Sequence, residues 1–389
     1  MNIDFISFLL YNISGGMMKK RRIKKSAFVL LFIVFVLISL GIVLLVNNKK
    51  TDEPKEENSI PENPVVEEPI KEKRMSILAV GDVLIHESVY KDALNSDGTY
   101  NFHKMFTDVE DIIKKYDLKY CNQESTIGGS VLGISGYPSF NSPDEIGDEI
   151  VNLGFNLISL ANNHALDKGM DAVKYSNSYW KTKNVITAGT YNSMEERDKV
   201  NVYEKNGIKY AFLAYTTFSN SKPKNDYILN IYSDERAKKD IEAVRNQVDV
   251  VIVSMHWGVE DSNIPNSSQR KIAEYLSSLG VNLIIGAHPH VVQPVEYLGD
   301  TLVIYSLGNF ISNQWAIRLN NAIGLIYGTD IVVDEDGKVS FENEYKELIL
   351  SYSDRSTKFK VIPFSKLNND LLPNYESVET QYMKIVNGE

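Results

Sequence analysis

From Met75 onward, short apolar runs rich in β-branched residues alternate with amphipathic stretches of helical period. The segments SILAV (76–80), LKYC (118–121), NLISLA (156–161), VDVVIVSM (248–255) and VNLIIGA (281–287) are apolar nearly throughout, as strands covered on both faces must be. Between them, DVEDIIKKY, PDEIGDEIVNLG, DAVKYSNSYWKT, DERAKKDIEAVRNQ and SSQRKIAEYLSSLG repeat their apolar positions at helical spacing. Strands alternating with such helices predict an α/β fold with a parallel-rich sheet. IKYAFLAYT (208–216) adds a strand to a second sheet. After Gly308 the texture shifts to AIGLIYGTDIVV and KVSFENEYKEL, split by Glu335-Asp336-Gly337, which predicts a hairpin because Asp-Gly permits a tight turn. From about residue 364 the chain is polar with a weak helical period, the texture of a surface appendage.

The pattern before Met75 is different in kind. Residues 27–46, AFVLLFIVFVLISLGIVLLV, contain no charge and one polar side chain, Ser39. Twenty apolar residues at a helical rise match the thickness of a bilayer core of about 30 Å. Lys19, Lys20, Arg21, Arg22, Lys24 and Lys25 precede this run and, by the positive-inside rule, stay in the cytoplasm. A cleaved signal peptide would have a shorter apolar core and a small-residue cleavage site, and the exit VLLVNNKK offers none. Residues 47–74, with their prolines and acidic side chains, have almost nothing to bury and read as an extended stalk. The expected organisation is a cytoplasmic basic segment (1–25), a transmembrane signal-anchor helix (26–46), an extracellular stalk (47–74), a main domain (75–350) and a C-terminal appendage (351–389). The protein is thus expected in the cell membrane as a single-pass chain with its main domain outside. Met17 and Met18 stand as alternative starts.

Charge sharpens this division. The formal net charge of -10 conceals a basic N-terminal segment and a body, residues 51–389, holding 33 basic against 50 acidic groups. So acidic a body excludes nucleic acid as a partner, since phosphate binding requires clustered Lys and Arg. The single cysteine, Cys121, lies within a predicted strand and serves as a small core hydrophobe.

Candidate chemistry sits where the apolar runs stop. Asp82 follows SILAVG, Glu124 follows LKYCNQ, Asn163 and His164 follow NLISLA, His256 follows VVIVSM, and His288 and His290 follow NLIIGA. In open α/β sheets ligands bind beyond the carboxyl ends of the strands, so these side chains are expected to meet in one crevice. Each has a bland alternative: acids and asparagines cap helices, and paired histidines hydrogen-bond within turns. His288 and His290 would share a face if their strand continued, with Pro289 stiffening the backbone between them. Asn163 offers an amide oxygen as a hard ligand. His164 is placed to protonate a leaving group, oriented by Asp167 if a helical turn begins there. Trp257, beside His256, reads as a pocket wall or core filler. A mixed nitrogen and oxygen set suits Mn2+, Fe2+ or Zn2+. Two such ions about 3.5–4 Å apart would activate water for hydrolysis or transfer at a phosphoryl or acyl centre.

GDVLIH, NQES, NNHALDKG, HWGVE, GAHPH and YSLGNF, in this order over roughly residues 75–315, resemble the CapA family of poly-γ-glutamate capsule synthesis proteins, itself similar to the calcineurin-like metallophosphoesterases. The resemblance implies a four-layer α/β/β/α sandwich and a two-metal site. It would place Asp82 and His290 on a first metal, Asn163, His256 and His288 on a second, and Glu124 between them. His164 would be the general acid, supported by Asp167. Asn122, Glu260 and Asn309 are further candidates for metal or substrate. One departure stands out: metallophosphoesterases carry Asp-x-His in the first block, and here that histidine is Leu84, which weakens the first metal position. His86, two residues on, either replaces the ligand or faces substrate. The implied function is synthesis, export or processing of poly-γ-glutamate or a related anionic envelope polymer. The alternatives are an accessory subunit of a membrane synthase or exporter and a wall-side metallophosphoesterase. A polyanion would be repelled by the acidic body unless the metals, or Lys168, Arg270, Lys271 and Arg318, gather to receive it.

Overall fold

A computed structural model of the chain describes residues 72–314 and 318–389. The expected membrane helix and the expected stalk up to residue 71 lie outside the described residues; the last stalk residues, Lys73 and Arg74, instead begin the first strand, and among the described residues no helix is long and apolar enough to cross a membrane. The strands in chain order are β1 (Lys73–Val83), β2 (Leu118–Gln123), β3 (Leu157–Ser159), β4 (Ile186–Ala188), β5 (Tyr203–Lys205), β6 (Ile208–Thr216) and β7 (Val250–His256). They continue with β8 (Leu283–Ala287), β9 (Val295–Leu298), β10 (Thr301–Ile304), β11 (Asn309–Ile311), β12 (Ile323–Val333), β13 (Val339–Asp354) and β14 (Thr357–Pro363).

Two mixed sheets form. One has the order β14-β13-β12-β1-β2-β3-β4, with β11 pairing on β1; the other runs β5-β6-β7-β8-β10-β9. Within them β1 to β4 are mutually parallel, as are β6, β7 and β8; antiparallel pairings join β1, β12, β13 and β14 through one half of the first sheet and occupy only the two edges of the second. The alternation of side chains explains why the strands read as continuous apolar runs. Met75, Ile77 and Ala79 of β1 and Tyr210, Phe212 and Ala214 of β6 belong to one shared core. Their neighbours in sequence point the other way. Leu78 and Val80 pack with Val89, Ile146 and Ile150 from helices Glu87–Ala93 and Asp144–Asn152. Ala211, Leu213 and Tyr215 pack with Ala237, Ile241 and Leu276 from helices Asp234–Val244 and Ser267–Ser278. Helices therefore cover the outer face of each sheet, giving the layering α/β/β/α.

The C-terminal region departs from the expectation of an appendage after residue 350. β13 runs through that position to Asp354, β14 adds an edge strand, and helix Tyr375–Val386 buries Tyr382 and Val386 in the shared core. FKVIP is a five-residue apolar patch interrupted by lysine, too short to register as a strand by pattern. The hairpin between β12 and β13 forms as expected, with Gly337 at a left-handed φ of 78° and its N–H donated to the Asp334 carbonyl.

Candidate metal centre

The site is built where the carboxyl ends of β1, β2, β7 and β8 meet. β1 brings Asp82 into register with Asn122 of β2 and Asn309 of β11. That pairing demands a close backbone approach. The Asp82 N–H donates to the Gly308 carbonyl at 3.0 Å, and a Cβ on Gly81 would stand 1.8 Å from the same oxygen. Asp82 is fully buried; its Oδ1 accepts from Asn122 Nδ2 at 2.8 Å, and its Oδ2 lies 3.3 Å from the backbone N of His288 and 3.3 Å from His290 Nδ1. Glu124 follows β2 and is also fully buried, but neither carboxylate oxygen has a hydrogen-bond partner. Its Oε1 lies 3.7 Å from Nε2 of His256 and 3.7 Å from Nε2 of His290.

The imidazoles come from the other sheet. His256 ends β7, with its Nε2 2.8 Å from Asn163 Oδ1 and its Nδ1 3.4 Å from Asn122 Nδ2. Asn163 is thus turned into the cluster and caps no helix. His288 and His290 do not continue β8, which stops at Ala287; both adopt left-handed backbone, with φ of 97° and 58°. Such conformations cost roughly 1–3 kcal/mol each for a non-glycine residue and concentrate at functional sites. The expectation of a shared strand face is corrected here, because the backbone itself turns to deliver both rings. Nδ1 of His288 is buried without a partner, and the ring stands edge-on to Phe218 at 4.9 Å between centroids. Nδ1 of His290 lies 3.0 Å from Asn309 Oδ1. Glu124, His288 and His290 each present a ligand atom within 4.8 Å of the others.

His164 stands beside this cluster. Its Nδ1 is 2.7 Å from Asp167 Oδ2, in a turn where the Asp167 N–H donates to the His164 carbonyl. Asp167 is in turn held by the Phe140 N–H at 2.8 Å, and Asn220 Nδ2 approaches His164 Nδ1 at 3.3 Å. The ring of Phe140 packs edge-on against both His164 and His86. His86 has its Nδ1 3.2 Å from the Asn313 N–H and 3.2 Å from the Leu84 carbonyl, which leaves only Nε2 for any ligand. Glu260 is exposed, although its charge is felt at Glu124 and His290. Trp257 is core, donating Nε1–H to the Tyr305 carbonyl at 2.9 Å. Phe140, Phe218 and Asn220 escaped sequence reasoning. Phe140 lies in a loop away from any strand end, whereas Phe218 and Asn220 follow β6, whose end at Thr216 carries no acid or histidine to mark it. Of the cations expected to gather, Arg270 pairs with Glu296 and lies over the Tyr305 ring, and Arg318 pairs with Asp261.

Burial sets the electrostatics. It pushes Glu124 well above the usual carboxylate range and drives His256 well below the usual imidazole value. Burial, with the charge of His290, lowers His288 to about 3; burial alone dominates at His86, lowered to about 4. At His290 burial also opposes the charged form, but Glu124 and Asp82 outweigh it and raise the group to about 10. A buried acid with both oxygens unpaired, set among imidazole nitrogens, is costly without a cation to answer it. The residues present therefore fit a divalent cation, and the mixed oxygen and nitrogen donors suit Mn2+, Fe2+ or Zn2+.

The fold and this site together define a mixed α/β, sheet-rich sandwich with a buried cluster of carboxylate, amide and imidazole side chains at its strand ends. Residues 76–314, more than half of the chain, match the model of the family described as bacterial capsule synthesis protein PGA_cap, and the chain belongs to that family. It is 33% identical over 177 residues to the PGA biosynthesis protein CapA of Bacillus subtilis (strain 168), covering 44% of this chain and 47% of that one. It is 24% identical over 272 residues to the capsule biosynthesis protein CapA of Bacillus anthracis, covering 66% and 65%. The chain thus spans about half to two thirds of these relatives' length. Among solved structures, a putative 5'-nucleotidase from Staphylococcus aureus aligns with a TM-score of 0.43 at 14% identity, covering 79% of this chain and 58% of that one. A likeness at that level carries nothing further about this chain.

Proposed function

We propose that this protein acts at the outer face of the cell membrane in the synthesis, export or processing of poly-γ-glutamate or a related anionic envelope polymer, through metal-dependent hydrolysis or transfer. The observation that carries this reading is Glu124, buried with two unpaired oxygens among the imidazoles of His256, His288 and His290. Family membership supports the polymer, and the apolar run at 27–46 supports the membrane location. When bound, the metal supplies Lewis-acid polarisation and an activated water. Glu124, Asn163, His256, His288 and His290 are the residues that would hold it.

The protein's own groups do the rest. Asp167 occupies Nδ1 of His164, so Nε2 is the nitrogen left to hand a proton to a leaving group. The Phe140 N–H fixes Asp167 and thereby the orientation of the ring. Phe140 and Phe218 wall the imidazoles and limit water around them. Arg270 and Arg318 are paired with Glu296 and Asp261, so a bound cation would add the attraction that they do not supply to an acidic substrate.

The test uses the full chain in detergent, loaded with Mn2+ or Zn2+ and incubated with γ-linked and α-linked polyglutamate and with chromogenic phosphate esters. Metal-dependent cleavage or transfer of the γ-linked polymer is expected. Metal-loaded protein inert on it removes the catalytic reading, and turnover of phosphate esters alone makes it a phosphoesterase instead.

A further inference from the structure

We propose that the protein carries a second ligand site, at the seam between the β4 edge of one sheet and the β5 edge of the other, and that it takes an α-amino-acid headgroup, an ammonium and a carboxylate on one carbon. The site does not depend on the metal reading. Residues 189–202 cross from β4 to β5 and carry the short helix Met194–Asp198. A cavity of about 310 Å3 is lined by Thr187 and Ala188 of β4, Phe212 of β6 and this crossover, and by none of the strand-end cluster. Its volume falls at the lower end of small-molecule sites.

The charged side chains of the wall do not all satisfy one another. Lys181 and Glu196 close a pair at 2.6 Å, and the second Glu196 oxygen accepts the Asn192 N–H at 2.9 Å. Arg197 and Asp240 remain open. Their side chains are 3% and 4% exposed, and Nη2 stands 3.9 Å from Oδ2, too far for a hydrogen bond. Asp198 takes Nη1 of Arg197, and the Tyr215 hydroxyl donates to Oδ2 of Asp240 at 3.0 Å. Nε of Arg197 is left buried with no partner, and Oδ1 of Asp240 has no hydrogen bond among the described residues. A buried guanidinium N–H and a neighbouring buried carboxylate oxygen, both unpaired, call for a ligand that accepts at one end and donates at the other. Tyr191 adds a donor: its oxygen accepts the Gly189 N–H at 3.4 Å, and burial raises the group to about 12, so it keeps its proton. Lys181, Arg197 and Lys199 balance Glu196, Asp240 and the Asp198 bound to Arg197, which suits a zwitterion better than a phosphate. Two sources present that headgroup. One is a free amino acid. The other, resting on the polymer reading above, is the amino end of γ-linked polyglutamate, whose first residue keeps both charges on one carbon; an α-linked chain loses that carboxylate to its first peptide bond.

The full chain in detergent, freed of metal so that the strand-end cluster cannot hold carboxylates through a cation, is titrated calorimetrically with L-alanine, L-glutamate, propionate and γ-linked and α-linked triglutamate. Saturable binding of at least one amino acid is expected, with propionate at least about tenfold weaker because it leaves Asp240 unpaired. Asp240→Asn should weaken the amino acid by at least about tenfold and spare propionate. Lys199→Ala, at an exposed position, should weaken both by about 2–5-fold and carries the test if Asp240→Asn does not fold. Binding of the γ-linked trimer but not the α-linked one assigns the site to the polymer end; amino acid binding with neither trimer assigns it to the free amino acid. No saturable binding of either amino acid, propionate as tight as alanine, or binding unchanged in both variants overturns the proposal and leaves the metal reading untouched.

Discussion

The two sheets contribute unlike chemistry to one pocket. The sheet built on β1, β2 and β3 ends in oxygen donors, Asp82, Glu124 and Asn163, whereas β7 and β8 of the other sheet end in the imidazoles of His256, His288 and His290. Glu124 and the three imidazoles clustered with it come from different sheets. The pocket is therefore a product of sheet packing, and the polar contact beneath it, Tyr120 to Ser254 at 2.7 Å, ties β2 to β7 across the shared core. Assembly of the site should track the sheet interface more closely than any single loop.

The comparison is broken most severely through the backbone of the imidazole-bearing sheet. A Cβ at Gly286 would stand 1.9 Å from the Tyr305 carbonyl, so Gly286→Ala is expected to cost more than about 4 kcal/mol or leave no folded protein, read by urea unfolding. His164→Ala, outside the donor set, is expected to retain its metal and lose about 10²–10⁴-fold in turnover of whichever substrate the wild type uses. Equal activity with equal metal content would remove His164 from the chemistry.

A smaller effect comes from acid. Burial lowers His86 to about 4, below its unfolded value, so the stability it contributes is present above about pH 6.5 and lost as pH falls towards 4. His86 keeps partial contact with solvent, which leaves about 2 kcal/mol for this term. His86→Gln should flatten that part of the stability curve; an unchanged acid limb would contradict it. Tyr120→Phe, which deletes the inter-sheet bond while keeping the ring, is expected to cost about 1 kcal/mol with the metal count unchanged.

Much of this was legible before any coordinates. β1, β2, β3, β7 and β8 are buried on both faces, so each wrote an apolar run into the sequence, and the polar residue after each run marked a strand end in the pocket. What the sequence could not carry was geometry that depends on partners remote in the chain. Nothing around GAHPH announces left-handed backbone at two histidines, which the fold imposes by ending β8 at Ala287. Phe140 and Asn220 reach His164 from loops 24 and 56 residues away, with no spacing rule to connect them. Asp82 was readable as a buried strand-end acid, but its engagement by Asn122 and His290 appears only when β1, β2 and the loop after β8 are seen together.

Anomalous diffraction from crystals of Zn2+-loaded protein measures the meeting of the two sheets most directly. The account predicts a peak with Glu124 from one sheet and His288 and His290 from the other as its nearest donors. A peak bound by residues of one sheet only, or lying away from Glu124, would contradict it.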